Sequence, residues 1–414
     1  MVSLLPPAIL LFLLASLLKI SFIYNVAYVL FAIYVLATLW SRRSLEDLQF
    51  RRSYVVRALI DDVVTVGVEV VNRGWLPAPW LHFHERLPIA LISPPFFRAL
   101  VTLRPKERRI FTYELTCRQR GWYEIGPLTA TLGDVFGITT RERVFTSGTR
   151  LTVYPKILPL DELGFPSKSP FGHLRTRHQL YDDPSRVVGV RDYQSGDSLR
   201  SINWKASASS GSLQVRKLEP AMTLETIILV NVNLLEFERQ HAHNAAELGI
   251  VVAASIANHL VSLRQEIGLL TNGLDPAVSE EAGADRMTGY LPKKGRGQLV
   301  SMLELLGRLT LAQDRPFWPL VRQEIQRLPW GATLVFVTAN DSDEAVGTLL
   351  PLRRSGFNVV VIYLDYPNPA SFEIAQRRAA TLGIRAYRVW REHDVDVWRR
   401  DVSAFGVPAP IGQR

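Results

Sequence analysis

Between Leu4 and Trp40 the chain carries one charged side chain, Lys19, and is otherwise built mostly of Leu, Ile, Phe, Val, Ala and Tyr. A helical membrane span needs about 20 apolar residues, so the run is long enough for two. It predicts helices over Leu4–Ile20 and Phe22–Trp40 with a turn near Lys19–Asn25. A cleaved leader fits less well: no basic stretch precedes the run, it continues far beyond a leader core, and no small-residue cleavage site closes it. Arg42, Arg43, Arg51, Arg52 and Arg57 follow at once. Basic residues beside a span end stay on the cytoplasmic side. The expectation is therefore a two-pass cell-membrane protein with its soluble domains in the cytoplasm. If only one helix crossed, the N-terminus would lie outside and the body would stay in. The same placement assigns the formal net charge of +9 to contact with membrane lipid rather than with nucleic acid.

The 414 residues exceed one ordinary core and predict two soluble domains after the apolar segment. Cys117 is the sole cysteine, so an internal disulfide, dithiol redox chemistry and a zinc-cysteine cluster are closed to the chain. From 45 to 159 apolar residues alternate in "VVTVGVEVVNRG", "RALVTLRP", "RRIFTYELTCRQRG", "LTATLGDVFGI" and "TRLTVYP". Period two between turn signals reads as short antiparallel strands, most simply an immunoglobulin-like β-sandwich. His82 and His84 share one strand face but lack the His-Glu-x-x-His helix of a metalloprotease, and read as half-buried strand residues. Cys117, with no activating neighbour, reads as a buried structural thiol.

The segment 160–220 has weak periodicity and holds "GVRDYQSGDSLRSINWKASA". Gln194-Ser195-Gly196-Asp197 reads as a turn, with Asp197 placed to cap a helix over Ser198–Ala208. That helix would put Leu199, Ile202 and Ala206 on one face and Arg200 with Trp204 on another. From 221 to 414, strands such as "ETIILVNV", "EIGLLTNG", "ATLVFVTA", "FNVVVIYL" and "RAYRVW" alternate with helical stretches: His241–Leu263, Gly297–Leu309, Pro316–Leu328, Asp343–Arg354 and Ser371–Leu382. This predicts a mostly parallel, Rossmann-type α/β sheet covered on both faces, with any ligand site at the strands' carboxyl ends.

The stretches "RGWYEIGPLTATLGDVFGI", "VYPKI", "FGH", "RDYQSGDSLRSINWKASA" and "LQVRKLEP" together resemble the bacterial and archaeal membrane family called domain of unknown function 58. The likeness covers the chain beyond the apolar hairpin. Its sharpest part fixes Arg191, Tyr193, Gly196, Asp197, Arg200, Ile202 and Trp204, with Lys205 beside them. The resemblance implies a transmembrane helical hairpin, a β-rich domain and a von Willebrand factor A-like α/β domain. It also implies association with a MoxR-type AAA+ ATPase, and no established enzymatic activity.

The resemblance sets a metal test. A Mg²⁺-binding von Willebrand A domain carries Asp-x-Ser-x-Ser after its first strand, because the ion needs hard oxygen ligands including a carboxylate. Here Asn231, Asn233 and Leu235 occupy those places, and Ala339 stands where an Asp would follow a later strand, with Asp341 two residues on. No metal and no cofactor are expected. No Walker phosphate loop or Gly-x-Ser-x-Gly elbow is present, and "KKGRGQLV" near Lys293 reads as lacking strand-loop-helix context. His241 and His243, two apart, point to different sides of the helix they open. "SEEAGAD" from Ser279 reads as a solvated loop.

Two readings of Arg191, Asp197, Arg200 and Trp204 stay open: a buried ion-pair and stacking knot, or a docking face for a partner such as the ATPase. The expected function is a membrane-tethered scaffold or adaptor and not an enzyme. The alternatives are a cation-dependent adhesion module, or an enzyme with a site at the strand ends.

Overall fold

The computed structural model describes residues 5–19, 21–92, 94–134, 139–145, 150–158, 182–194, 197–220, 225–278, 286–339, 341–364 and 369–389. The chain forms two compact units, Met1–Lys156 with Leu303–Leu309, and Ile157–Met302 with Thr310–Arg414. The first begins with α1 (Leu5–Leu18) and α2 (Ser21–Glu46). Between them Lys19 takes φ 52°, a left-handed conformation that reverses the chain. Phe12 of α1 then packs edge-on against Tyr24 of α2 at 5.7 Å. At about 1.5 Å per residue α1 reaches about 21 Å and α2 about 39 Å, against a hydrocarbon core of about 30 Å. So α2 has the length and composition of a span, while α1 is a shorter arm packed on it. The helix also continues past Trp40, where the apolar run ends, to Glu46. Its last turns are held by burial: Ser41, Ser44 and Leu45 are covered.

The β-rich part follows as β1 (Leu48–Ser53), β2 (Arg57–Leu59), β3 (Val63–Asn72), β4 (Ala78–Arg86), β5 (Phe96–Leu103), β6 (Arg108–Thr116), β7 (Gly121–Glu124), β8 (Leu128–Gly133), β9 (Thr140–Phe145) and β10 (Arg150–Tyr154). One sheet runs β1-β3-β6 and a second β5-β4-β8-β9, both antiparallel, with a small β2-β10-β7 sheet beside them. Alternation builds the core: Val64, Val66, Val68 and Val70 of β3 share it with Leu81 and Phe83 of β4. Rings join the two sheets, Phe83 with Phe111 at 5.2 Å and Phe97 with Tyr113 at 4.7 Å. This is a β-sandwich. Cys117 is fully buried in its core, which lifts the thiol to about 11, with Asp62 adding to the effect. His82 and His84 sit half-buried on one face of β4, ring centres 6.4 Å apart. On the opposite, core-facing side Glu85 is paired with Arg52 and accepts from Tyr113 Oη at 2.8 Å. Burial raises that carboxyl above its ordinary value while Arg52 draws it back down.

The second unit contains a hairpin, β11 (Asp182–Asp192) paired antiparallel with β12 (Gln214–Pro220), enclosing α3 (Trp204–Ser210). A six-stranded sheet follows: β13 (Glu225–Val230), β14 (Glu266–Thr271), β15 (Thr288–Lys293), β16 (Thr333–Thr338), β17 (Asn358–Leu364) and β18 (Arg385–Val389). The helices α4 (Ala242–Ser262), α5 (Arg296–Arg308), α6 (Phe317–Glu324), α7 (Asp343–Arg354) and α8 (Pro369–Thr381) alternate with these strands. Strand order is β15-β14-β13-β16-β17-β18, parallel except for β15. The near-continuous apolar runs of β13, β16 and β17 are the mark of strands covered on both faces. Phe317, Trp318 and Phe336 form the aromatic centre of one layer. α4 also has the length and apolarity of a span, but it is mostly buried and serves as a core helix.

One expectation changes here. "KKGRGQLV" does lie between a strand, β15, and a helix, α5, with Gly295 at φ 103°. The antiparallel edge strand β15 was missed in the sequence, so its following turn was read without context. The acidic stretch 279–285 lies outside the described residues.

Candidate functional site at the strand ends and the signature hairpin

In an open α/β sheet the ligand crevice lies where strand order reverses, beyond the carboxyl ends. Here β13 is flanked by β14 and β16, with chain connections leaving in opposite directions, so the reversal falls at Asn231 and Thr338. Asn231 is fully buried and donates from Nδ2 to Thr338 Oγ1 at 3.1 Å and to Glu236 Oε2 at 2.9 Å. Its Oδ1 accepts from Asn233 N and from Asn272 Nδ2, each at 3.0 Å. Asn272, also fully buried, donates to Arg315 O at 2.8 Å and accepts from Val232 N at 2.8 Å. Glu236 Oε1 accepts from Asn233 Nδ2 at 3.1 Å and from Phe317 N at 2.8 Å.

This donor count decides the chemistry. Both lone-pair directions of the Asn231 carbonyl are taken, and Glu236 receives three N–H groups, which offset its charge without a cation. Asn233 Oδ1 accepts from Leu235 N at 3.3 Å, and the Leu235 side chain is 75% exposed, offering no ligand. Ala339 has no oxygen beyond its backbone. Asp341 is engaged elsewhere, near Tyr363 Oη at 3.4 Å and Arg378 at 3.9 Å. Burial raises its carboxyl above the ordinary range, opposed by Arg378 and Tyr363. Among the described residues no three His, Cys, Asp or Glu side chains group as metal ligands. The strand ends are thus a closed amide–carboxylate lock, joining β13, β14, β16 and the start of α6. Glu236, Asn272, Thr338 and Arg315 carry this lock, and the sequence reading missed them. A polar residue ending each of three apolar strands was the available signal.

The signature hairpin is built differently. Arg191, on β11, grips Asp197 with both terminal nitrogens at 2.7 Å, and Asp197 also accepts from Gln194 N at 2.9 Å. These donors, Arg191 foremost, hold the Asp197 carboxyl down at about 2. Asp197 therefore closes a turn and caps no helix. The expected continuous helix is broken: residues Leu199–Ser201 make one 3-10 turn, and Ile202 then extends to bridge Val215 of β12. Asn203 N donates to Gln214 O at 2.8 Å, and the Asn203 side chain starts α3 afresh by accepting from Ala206 N at 3.2 Å. Pairing with β12 captures two residues that local helical preference would have kept.

Of the residues the sequence singled out, Ile202 is buried, Tyr193 is half-buried with its N–H on Leu213 O, and Lys205 is exposed. Gly196 and the Arg200 side chain lie outside the described residues. Trp204 is 68% exposed, as is Leu199. A buried knot containing Trp204 is not what forms: the Arg191–Asp197 pair exists, but at the surface, with the Arg191 side chain 44% exposed. Leu213 and Val190 are exposed on the same hairpin.

An apolar helical arm, a β-sandwich and a doubly wound α/β domain with a polar lock at its strand ends define the class. Residues 189–310 match the family model described as "Protein of unknown function DUF58", a stretch that starts in the signature hairpin and runs through β13, β14 and β15. The chain is also similar to the uncharacterized protein YeaD of Bacillus subtilis (strain 168), 26% identical over 239 residues, which is 56% of this chain and 50% of that protein. The chain thus spans about half the length of the curated relative it matches. Both findings support the resemblance to this family. Among solved structures, the CARDB domain of a Pyrococcus furiosus protein aligns at TM-score 0.19 and 19% identity, over 26% of this chain and 87% of that one. A β-glucosidase from Listeria innocua aligns at TM-score 0.17 and 16% identity, over 26% of this chain and 16% of that one. Likenesses this weak carry no argument about fold or function.

Proposed function

We propose that this chain is a membrane-tethered scaffold or adaptor whose α/β domain, von Willebrand factor A-like in topology, docks a protein partner through the signature hairpin. The sandwich is immunoglobulin-like in this reading, and the soluble domains face the cytoplasm because the Arg cluster follows the apolar run. The partner is a MoxR-type AAA+ ATPase, as the family resemblance implies. The observation that supports this most is the exposure of Trp204 and Leu199, 68% each, within the pattern that defines the family likeness. A Trp exposed over two thirds of its surface adds little core stability, while Trp is enriched among the anchors of protein interfaces. The Arg191–Asp197 clamp pre-orders the turn that presents it, which lowers the entropy cost of binding.

The test is a photo-crosslinking residue in place of Lys205, in native membranes. Recovery of the ATPase that is lost on Trp204→Ala supports docking here. Recovery unaffected by Trp204→Ala moves the contact elsewhere.

A second reading, a ligand or catalytic site at the strand ends, has the raised carboxyl of Asp341 in its favour. For the cation-dependent form of that reading, titration with Mg²⁺ should give no binding heat, since the Asn231 carbonyl is already doubly engaged. Heat that vanishes on Asp341→Ala would overturn the metal-free assignment.

A further inference from the structure

The sandwich exposes two large indoles with no role in its core: Trp75 is 71% exposed and Trp80 is 59% exposed. Both flank the point where the sandwich meets the apolar helix. Pro77 O accepts from Trp40 Nε1 and from Ser44 Oγ of α2, each at 3.2 Å. Arg73 N donates to Asp47 O at 3.0 Å. The segment 73–77 is held by hydrogen bonds: the fully buried Asn72 donates to Leu76 O at 2.8 Å and to Arg104 O at 3.2 Å, and accepts from Gly74 N at 2.9 Å. Trp80 is turned outward by a register break in β4 between Ala78 and Leu81, where it sits at φ 49°. A bulky residue with positive φ is an outlier that a fold keeps only under constraint.

The depth of this region follows from helix length. About 20 residues cross the hydrocarbon, which takes α2 from Ser21 to Trp40 and leaves Ser41–Glu46 in the headgroup layer. Pro77, bonded to Trp40 and Ser44, is held at that same layer. Around it Arg42, Arg43, Arg73, Arg104 and Lys106 are exposed, against Glu46, Asp47 and Glu107. Indoles over a basic rim are the composition of a membrane-interface belt.

We propose that Trp75 and Trp80 dock the β-sandwich onto the bilayer surface, seating their indoles among anionic lipid headgroups and fixing the sandwich against the membrane beside its own anchor. The proposal rests on the membrane-anchored reading. The experiment is fluorine NMR of the full chain with 5-fluorotryptophan, in nanodiscs containing phosphatidylglycerol, with Trp75, Trp80 and Trp40 assigned by single Trp→Phe variants. Paramagnetic lipids should broaden Trp75, Trp80 and Trp40 together, while an aqueous gadolinium chelate leaves them sharp. If the chelate broadens Trp75 and Trp80 while lipid broadens Trp40, the anchor stands, the docking proposal falls and the two indoles face a soluble partner. If Trp40 also responds to the chelate alone, the membrane reading fails and takes the proposal with it.

Discussion

Arg52 and Glu85 show what a single buried residue decides. Glu85 has no exposed surface and shares its carboxylate between Arg52 and Tyr113. Removing one partner of a buried pair strands the other, so Glu85→Ala should cost about 3–5 kcal/mol in urea unfolding, and an Arg52→Met/Glu85→Leu double variant should recover most of it. A loss equal in single and double variants would mean the pair itself is not the cause. Asp197 gives a pH signature of known sign. Its folded value of about 2 lies below the ordinary 3.8, so its contribution is present above 3.8 and is lost as pH falls through about 2. A carboxyl-carbon titration should show this low midpoint, and Arg191→Gln should return it toward 3.8. Trp80 is held at positive φ, a strain of about 1–3 kcal/mol. Trp80→Gly should therefore leave the melting midpoint level or higher while removing the indole from the bilayer surface.

At the scale of elements, α3 was legible in part. A turn at Gln194–Asp197 and a helix reaching Ala208 were readable, and α3 runs two residues further to Ser210, where Gly211 closes it at φ 73°. The break at Ile202 was not readable, because it depends on a bridge to Val215 in the partner strand, a tertiary effect that overrides local preference. The cap passed from Asp197 to Asn203 for the same reason. Asn203→Ala should cost about 1 kcal/mol. Trp204→Ala should change stability by no more than about 0.5 kcal/mol, the range for exposed positions, where a buried indole would have cost about 3–5 kcal/mol. Melting midpoints of the two variants distinguish these directly.

Across the whole molecule the parallel strands were the most legible part, since unbroken apolar runs between helices admit few other readings. The antiparallel edge strand β15, "TGYLPK", was missed because Gly and Pro interrupt it and most of its residues are exposed. The lock at the strand ends was read only at Asn231 and Asn233, since its other members lie far apart in sequence, at Glu236, Asn272, Arg315 and the end of β16. Asn272→Ala would leave Val232 N and the Asn231 carbonyl each one partner short, and should lower the stability of the α/β domain by about 1–3 kcal/mol. Hydrogen exchange should then quicken first at Val232 and Asn233. The proposed role of the signature hairpin is that of a docking face. Its most direct test is the affinity of purified MoxR-type ATPase for the full chain in nanodiscs, wild type against Leu199→Ser/Trp204→Ala. A docking hairpin gives at least a roughly tenfold weaker complex for the variant, about 1.4 kcal/mol, at an unchanged melting midpoint. Equal affinity for both proteins would contradict it.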